Sequence, residues 1–438
     1  MIDIQILREK PELVAKNSQQ KGYKIDVDQI IGFDKERLEL LNKVEDLRRK
    51  RNELTESYKG QKPNDAQLEE GRKIKNELTD QEHKFDDIEL QLNKLLSTIP
   101  NLADADVPVG KSEDENVVIK TVGEIKKFSF EPKSHVEIAE KNGWLDKTRA
   151  AKVAGSRFAY LKGSMVKLQF ALVQFVIDNL SDEEVIKKII KDNKLNLSSK
   201  AFVPVIPPAL INTTAYEATG RLNAEEVTYK IQDEDLWLNA SAEHSLCSMY
   251  KDEILAENEL PIRYVGYSTS FRREAGTYGK DMEGIFRTHQ FDKLEMESFS
   301  TKETSKEEHL LMVGIQEYLL QSLELPYQVI QKCTADIGFP NARGVDINTW
   351  IPSQDTYRET HSADYLTDFQ TRRLKTRYKK NDGGSNELVH TNDATAIVLS
   401  RIPIAILENY QEEDFKVKVP EVLKKYMGGI EYLSLIHI

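Results

Sequence analysis

Charged side chains crowd one segment of the chain, FRREAGTYGKDMEGIFRTHQFDKLEME, which runs from Phe271 to Glu297. Guanidinium forks bind phosphate oxygens in pairs, an aromatic ring offers a stacking surface for a base, and carboxylates can hold an amino group or a metal. These residue types together suit a nucleotide and an amine-bearing substrate. A surface hairpin with cross-strand ion pairs would have a similar composition, so this segment alone leaves both interpretations open.

Side-chain alternation along two paired strands predicts that the charged residues converge on one face of a hairpin. We place one strand end at 270–274 and its partner at 286–299, with Leu294 and Met296 on the opposite face. The charged face then comprises Arg272, Glu274, Arg287, Phe291 and Glu295. Glycines in the intervening loop would let the backbone approach a ligand closely, namely Gly276, Gly279 and Gly284.

Heptad spacing predicts two long helices in the first hundred residues. Apolar residues and arginines step by four and three positions from Phe33 to Tyr58, and the same stepping resumes from Ile74 to Leu95. The segment GQKPND between them predicts a turn. Two such helices form an antiparallel hairpin, and about 26 residues at ~1.5 Å each give an arm of roughly 40 Å.

Four consecutive cations lie on this arm: Arg48, Arg49, Lys50 and Arg51. Residues in succession cover every face of a helical turn, so some of them must face solvent. A solvated flank and a phosphate-binding surface are both open interpretations. The seam position of Arg51 favours the second.

Beyond about Phe128 the sequence becomes mixed α and β. Helical spacing runs from Lys167 to Ile190, and the proline-punctuated FVPVIPPALIN (202–212) predicts an edge or interface strand. The strands follow one another too closely for a helix between each pair, which favours an antiparallel sheet flanked by helices. We predict an α+β fold with a helical-hairpin domain at 1–103 (arm at about 30–100), a second domain at 104–432, and an appended, non-native tail at 433–438.

Composition sets further limits on the class of protein. The 438 residues carry a formal net charge of −12, which argues against a generally basic surface but allows a local basic patch. The chain starts without a secretory apolar region and has no apolar run long enough for a bilayer, so we expect a cytoplasmic protein with no membrane contact. Cys247 and Cys333 are far apart and outside any Cys/His cluster, which predicts buried thiols, no disulfide and no zinc.

The segment from Phe271 resembles motif 2 of the class II aminoacyl-tRNA synthetases, and FRREAG followed by RTHQFDKLE resembles the seryl-tRNA synthetase family in particular. Three further segments resemble the family's signatures in the family's order: FVPVIPPALIN (motif 1), SAEHSLCSMYKDEIL (the serine-contacting Thr-Ala-Glu segment) and NELVHTNDATAIVLSRIPIAILENYQ (motif 3). Their joint occurrence is far more specific than any one of them.

The resemblance implies a ligase that activates L-serine with ATP and transfers it to tRNA(Ser) and tRNA(Sec). It also implies a homodimer with Pro208 at the interface. The coiled-coil arm, with Arg48 to Arg51, would grip the long variable arm of the tRNA.

The resemblance further implies roles in ATP binding. Arg272 would contact the α-phosphate and the serine carboxylate, and Arg287 and Arg401 the outer phosphates. Phe291 would stack on adenine with Glu274 near its amino group, while Glu359, with Ser362, would bind Mg²⁺. The implied catalytic residues are Arg272, Arg401 and Glu359, and the full ATP set is Arg272, Arg273, Glu274, Arg287, Thr288, Phe291, Glu359, Thr360, His361, Ser362 and Arg401.

The implied serine-binding set surrounds the amino and hydroxyl groups of the substrate. It comprises Ser241, Ala242, Glu243, Arg272, Glu295, Asp393 and Thr395. Four positions depart from the family pattern. Ser241 replaces threonine, Asp393 asparagine, His361 serine and Asn348 glutamate. Asp393 adds a carboxylate that a nearby cation could offset, and His361 is either a metal or nucleotide ligand or a surface or hydrogen-bonded residue.

Two other classes of protein compete with the seryl ligase. An amino acid:carrier-protein ligase would have a similar catalytic domain but lack the basic arm. A non-catalytic tRNA-binding protein would have lost Arg272, Arg287, Glu359 or Arg401, and all four are present. The arm and the intact charged set favour the seryl ligase.

Overall fold

The structure is a computed structural model that describes residues 1–59, 62–222, 228–274 and 284–433. The chain divides into two compact units, Met1–Leu102 and Ala103–Ile438. Part of the predicted turn (60–61), the loop glycines Gly276 and Gly279, and residues 434–438 of the predicted tail lie outside the described residues. Within the described ranges, no helix combines the length and the apolar character needed to cross a bilayer.

The first unit is helical. Its helices are α1 (Ile4–Glu9), α2 (Pro11–Gln20), α3 (Val27–Ser57) and α4 (Asp65–Ser97). The side chain of Asn64 accepts from the backbone of Gln67, whose own side chain accepts from the backbone of Asn64, so a capping box starts α4. Val44 and Leu47 pack against Leu78 in the predicted seam. The 31 residues of α3 span about 47 Å, which confirms the long helical hairpin.

The second unit combines helices with a large sheet. Its helices are α5 (His135–Lys141), α6 (Lys147–Ala154), α7 (Ser164–Leu180), α8 (Glu183–Asp192), α9 (Thr213–Ala218), α10 (Ala242–Cys247), α11 (Ser305–Ser322), α12 (Phe369–Leu374) and α13 (Ile402–Asn409). Its strands are β1 (Val117–Val122), β2 (Leu145–Asp146), β3 (Tyr160–Leu161), β4 (Val203–Val205), β5 (Leu210–Ile211), β6 (Trp237–Leu238), β7 (Ile254–Ala256), β8 (Ile262–Phe271), β9 (Gln290–Ser300), β10 (Tyr327–Gln331), β11 (Arg343–Ile351), β12 (Thr356–Thr367), β13 (Arg377–Lys379), β14 (Glu387–Leu388) and β15 (His390–Val398).

Eight of these strands form the main sheet, in the order β1-β10-β11-β12-β15-β9-β8-β4. Neighbouring strands are antiparallel except β4, which pairs in parallel with β8 at the edge. This arrangement confirms the predicted antiparallel sheet and the edge strand within FVPVIPPALIN. The predicted helical spacing from Lys167 to Ile190 corresponds to α7 and α8, which are separated by a short turn.

The two faces of the central strands have different surroundings. Leu294 and Met296 of β9 and Ala394 of β15 belong to the main hydrophobic core, together with apolar residues of α7 and α11. Because side chains alternate along a strand, the intervening residues face the other side of the sheet. Glu295 pairs with Thr395 there, so one sheet face supplies the polar floor of a cleft.

The sequence-based prediction placed the hairpin strands too long. Strand β8 ends at Phe271 and β9 begins at Gln290, so Arg272, Glu274 and Arg287 lie beyond the strand ends. Glu274 has a φ of 47°, in the left-handed region, and an extended strand cannot contain that conformation. The charged residues therefore line the approach to the sheet rather than one flat face of it.

Candidate active site

A polar cleft of about 990 Å³, measured to its open mouth, lies over β9, β12 and β15. Most of the predicted site residues line it: Glu243, Arg272, Glu274, Arg287, Thr288, Phe291, Glu295, Glu359, Thr360, Ser362, Asp393, Thr395 and Arg401. They come from segments more than a hundred residues apart. The fold therefore brings together residues that the sequence predicts separately.

Arginines define one end of the cleft. Arg401 is the N-terminal cap of α13, and Pro403 lies in the first turn as predicted. Its Nη1 donates to Oε1 of Glu359 at 2.9 Å, and its guanidinium lies 5.1 Å from the centre of the Phe286 ring. The enclosing cleft favours the neutral acid at Glu359, but Arg401 and then Lys332 outweigh this and lower the pKa of Glu359 to about 2.

Two further arginines lie near an aromatic ring and a carboxylate. The guanidinium of Arg272 is 5.4 Å from the centre of the Phe291 ring, and its Nε donates to the carbonyl oxygen of Ala240 at 3.2 Å. Nη1 of Arg287 donates to Oε2 of Glu274 at 3.4 Å. These contacts hold cationic and aromatic surfaces side by side, as a nucleotide requires.

Carboxylates define the opposite end. Ser241 precedes α10, and its hydroxyl oxygen lies 3.0 Å from Oε2 of Glu243 and 3.3 Å from Oε2 of Glu295, either of which can accept its single proton. Nζ of Lys293 donates to the same hydroxyl at 3.1 Å and forms an ion pair with Glu295. Carboxylate oxygens of Glu243, Glu295 and Asp393 lie within 4.8 Å of one another. Such crowded acceptors suit a small group with several N–H donors, such as an ammonium.

Electrostatics separates these carboxylates. Burial raises the pKa of Glu295 to about 7, and Lys293 limits that rise. Burial acts in the same direction on Glu243, but the positive charges led by Arg221 outweigh it, so the pKa of Glu243 is well below its ordinary value. The site therefore combines a fixed anion with a carboxyl group that titrates near neutrality.

A second carboxyl pair lies deeper in the same floor. Glu297 is fully buried and faces Asp393 across β9 and β15. Burial and the facing Asp393 raise the pKa of Glu297 well above its ordinary value, and burial also raises the pKa of Asp393 against the effect of Arg221. Arg221 donates to both oxygens of Asp393, whereas no described group hydrogen-bonds Glu297. Because Arg221 contacts Asp393 and not Glu297, these surroundings favour the neutral acid at Glu297 over the neutral acid at Asp393.

Four residues of the predicted serine- and ATP-binding sets do not line the cleft: Ser241, Ala242, Arg273 and His361. Ser241 and Ala242 are fully buried, and Arg273 packs over the ring of Tyr229. His361 is buried rather than at the surface, and its Nδ1 lies 2.9 Å from Oγ1 of Thr360. Burial lowers the pKa of His361 to about 3, so the ring is neutral at physiological pH.

The structure adds residues that the sequence reasoning missed. Arg221, Lys293, Phe286, Lys332 and Asp364 also line the cleft. Lys293 stands inside the RTHQFDKLE signal and could have been found there. Arg221 belongs to no recognised segment, so only the fold reveals it. Cys247 and Cys333 are free and buried, as predicted.

The basic cluster of the arm faces solvent. Nη2 of Arg48 lies 2.8 Å from Oε1 of Glu82 on the facing helix, and Nζ of Lys50 lies 2.9 Å from Oδ2 of Asp46. Arg51 is exposed, although the four-three spacing assigns it to the seam. A long guanidinium at a seam-edge position reaches water while its stem stays along the helix.

Comparison with known proteins identifies the family. The description "Seryl-tRNA synthetase N-terminal domain" matches residues 1–103, and "tRNA synthetase class II core domain (G, H, P, S and T)" matches residues 228–410. A serine–tRNA ligase of Thermodesulfovibrio yellowstonii is 39% identical over 436 residues, which cover 98% of this chain and 99% of that protein. The chain belongs to the seryl-tRNA synthetase family.

Other members of the family agree with this assignment. The serine–tRNA ligase of Bacillus subtilis is 39% identical over 440 residues, covering 99% of this chain and 100% of that one. A crystal structure of seryl-tRNA synthetase from Pyrococcus horikoshii complexed with ATP superposes with a TM-score of 0.88, at 37% identity and 100% coverage of both chains. The predictions of the family, the fold class and a serine–tRNA ligase are thus confirmed, and the two competing classes are not favoured.

Proposed function

We propose that this cleft joins L-serine to ATP as seryl-adenylate, releasing pyrophosphate, and then passes the seryl group to the 3′-terminal ribose of tRNA(Ser) and tRNA(Sec), releasing AMP. The division of one cleft into an arginine end and a carboxylate end supports the proposal most strongly. The charge of Arg272 acts on both Glu243 and Glu359, one at each end. Arg272 therefore lies where the two substrates would meet.

ATP occupies the arginine end in this proposal. Arg287 and Arg401 hold the outer phosphates, Phe291 stacks on adenine, and Glu274 accepts from the adenine amino group. Arg287 and Arg401 are paired with carboxylates in the structure described above. Phosphate oxygens would replace those carboxylates as partners of the guanidiniums.

The first step is an in-line displacement at the α-phosphorus. A carboxylate oxygen of serine forms the new P–O bond, and the bond to the β-phosphate oxygen breaks, so that pyrophosphate leaves with the bonding electrons. Such a transfer needs positioning and charge stabilisation but no protein nucleophile. Arg272 supplies both, because it can contact the α-phosphate and the attacking carboxylate together.

Serine occupies the carboxylate end. Glu243 and Glu295 accept hydrogen bonds from the serine ammonium and hydroxyl, and Ser241, Asp393 and Thr395 complete the surroundings. Buried partners for a hydroxyl discriminate strongly against alanine, since those partners would be left unpaired. Discrimination on the order of 10⁴-fold is typical of hydroxyl-reading sites.

Magnesium is the metal that fits the arginine end. Glu359 and Ser362 both line the cleft, and carboxylate and hydroxyl oxygens are hard ligands of the kind that Mg²⁺ prefers. When bound with ATP, Mg²⁺ would neutralise charge that develops on the phosphates. Glu359 is ionised at neutral pH because of its low pKa, as a metal ligand must be.

The helical hairpin binds the long variable arm of the tRNA in this proposal. Arg48, Arg49 and Lys50 are more than half exposed, at 52%, 68% and 56%. Their partners on the hairpin are surface carboxylates, and surface ion pairs contribute little, so phosphates can displace them.

A homodimer would place Pro208 at its interface. Pro208 is exposed and follows the edge strand β4, where Val203 and Ile206 are 52% and 83% exposed. A run of exposed apolar side chains on a sheet edge is typical of an interface. The cytoplasmic location expected from the sequence stays a prediction.

Exchange of pyrophosphate into ATP tests the catalytic proposal. Purified protein is assayed without tRNA against each of the twenty amino acids. Exchange with serine alone is expected, whereas exchange with a different small amino acid would reassign the substrate. No exchange with any amino acid would overturn the proposal.

A further inference from the structure

Arg221 follows α9 and enters the carboxylate end of the cleft. Its Nε lies 2.9 Å from Oε1 of Glu243. Its Nη2 donates to Oδ2 of Asp364 at 3.1 Å and to Oδ2 of Asp393 at 3.0 Å. One guanidinium thus contacts three carboxylates, which come from α10, β12 and β15.

Asp364 and Asp393 have Arg221 as their cationic partner, whereas Glu243 also lies 3.9 Å from Nζ of Lys293. The side chains of Glu243, Asp364 and Asp393 are only 8%, 9% and 5% exposed. Among the described residues, no other cation lies within 4 Å of Asp364 or Asp393. A buried carboxylate that loses its partner is strongly unfavourable, and guanidinium is the cation best shaped to contact several at once.

We propose that Arg221 and Asp393 form a matched pair that sets the affinity for the amino acid. Asp393 puts a carboxylate where the family pattern has asparagine, and Arg221 neutralises it while holding Glu243 towards the substrate ammonium. Arg221 is therefore a positioning residue for Glu243. The proposal rests on the proposed function, because it takes the carboxylate end of the cleft as the serine pocket.

The two single substitutions change the net charge of the carboxylate cluster in opposite directions, and each should raise the KM for serine. D393N removes one of the three carboxylates that face Arg221, and with it one negative charge beside the ammonium site, so the KM for serine should rise about tenfold. R221Q leaves three buried carboxylates without this cation and releases Glu243, so the KM for serine should rise by roughly 30-fold.

The double variant tests whether the effects of the two substitutions are coupled. R221Q/D393N places two neutral amides opposite each other and removes one positive and one negative charge, so the net charge of the cluster is that of the wild type. Its KM for serine should lie about tenfold below the product of the two single effects, which is about that of R221Q alone. R221K supplies a milder version of the cycle, since lysine keeps the charge but cannot fork between three carboxylates.

The assay is serine-dependent exchange at saturating ATP, with kcat and both KM values determined for each variant. The KM for ATP should stay within about twofold of the wild type, because the pair lies at the amino-acid end. A matched control is R8Q/D34N. Arg8 and Asp34 form another arginine–aspartate pair, with Nη2 of Arg8 2.8 Å from Oδ1 of Asp34, in the first unit. The control should leave the KM for serine unchanged.

Either of two results would overturn the proposal that Arg221 and Asp393 act as a pair. Single effects that simply multiply in the double variant would show that the two side chains act independently. Equal losses in the KM for ATP and the KM for serine would show that the cluster only supports the fold. A wild-type protein that fails to exchange with serine would instead defeat the proposed function, and the two failures are therefore distinguishable.

Discussion

The titration of Glu295 predicts how serine activation depends on pH. An ionised carboxylate binds the serine ammonium much more strongly than the neutral acid does, and burial raises the pKa of Glu295 to about 7. Ionisation therefore increases as the pH rises through 7. Roughly 9% of the sites are ionised at pH 6 and roughly 91% at pH 8, so kcat/KM for serine should rise about tenfold across this interval.

Two variants test whether Glu295 causes that rise. Glu295→Gln keeps the shape but cannot ionise, so its lower activity should show no rise through pH 7. Lys293→Met removes the neighbouring cation that favours the carboxylate, so the midpoint should shift to higher pH by about one unit or more. The assay is serine-dependent exchange from pH 6 to 8.5 at saturating ATP.

Other titrating groups must be separated from Glu295. Burial lowers the pKa of His244 and His361 to about 3, so neither titrates in this interval. Burial raises the pKa of Asp346 to about 7 as well, but Asp346 lies 3.4 Å from Lys332 at the ATP end. Asp346→Asn should therefore preserve the rise in kcat/KM for serine. A flat wild-type profile, or an unchanged rise in Glu295→Gln, would refute the reasoning.

Four further outcomes follow from the structure. Arg272→Ala should reduce serine-dependent exchange at least about 100-fold while tRNA binding persists, and near-normal exchange would contradict its role. Neutralising Arg48–Arg51 should weaken tRNA binding and reduce the slope of log K against log [salt] by up to about one unit per phosphate contact, while serine-dependent exchange stays unchanged. If exchange fell as much as the tRNA affinity, the arm would have a structural role instead. The raised native pKa of Glu297 makes the wild type lose stability as the pH rises above about 5. Glu297→Gln cannot ionise, so its free energy of unfolding should increase relative to that of the wild type by at most about 1.4 kcal/mol per pH unit. A constant difference in the free energy of unfolding at all pH values would argue against a proton on Glu297. Ile206→Asp should shift a dimer towards monomer in light scattering, whereas Ile119→Asp, at the opposite sheet edge and 55% exposed, should not; a monomeric wild type would remove the dimer.

The helical arm could be predicted from the sequence because its signal is local. Heptad stepping marks both helices, and Asn64 with Gln67 explains where α4 begins. The side-chain environment of Arg51 could not be predicted, because the spacing fixes the face of a helix but not whether a long side chain turns out to water.

The charged residues of the site could be predicted in type but not in arrangement. The strand ends near Arg272 were misplaced because a left-handed φ at Glu274 leaves no mark in residue types. Arg221 was missed for a different reason. Its partners Glu243, Asp364 and Asp393 lie between 22 and 172 positions away, and only the sheet order brings them together.

The cleft depends on the long-range pairing of β9 with β15. Glu295 and Thr395 face each other across these strands although 100 positions separate them in the chain (395 − 295). A slip of one residue by either strand would turn its own side chain, Glu295 or Thr395, towards the hydrophobic core. Serine-dependent exchange would therefore return only when this long-range strand pairing is correct, and its recovery after dilution from denaturant would report on that pairing.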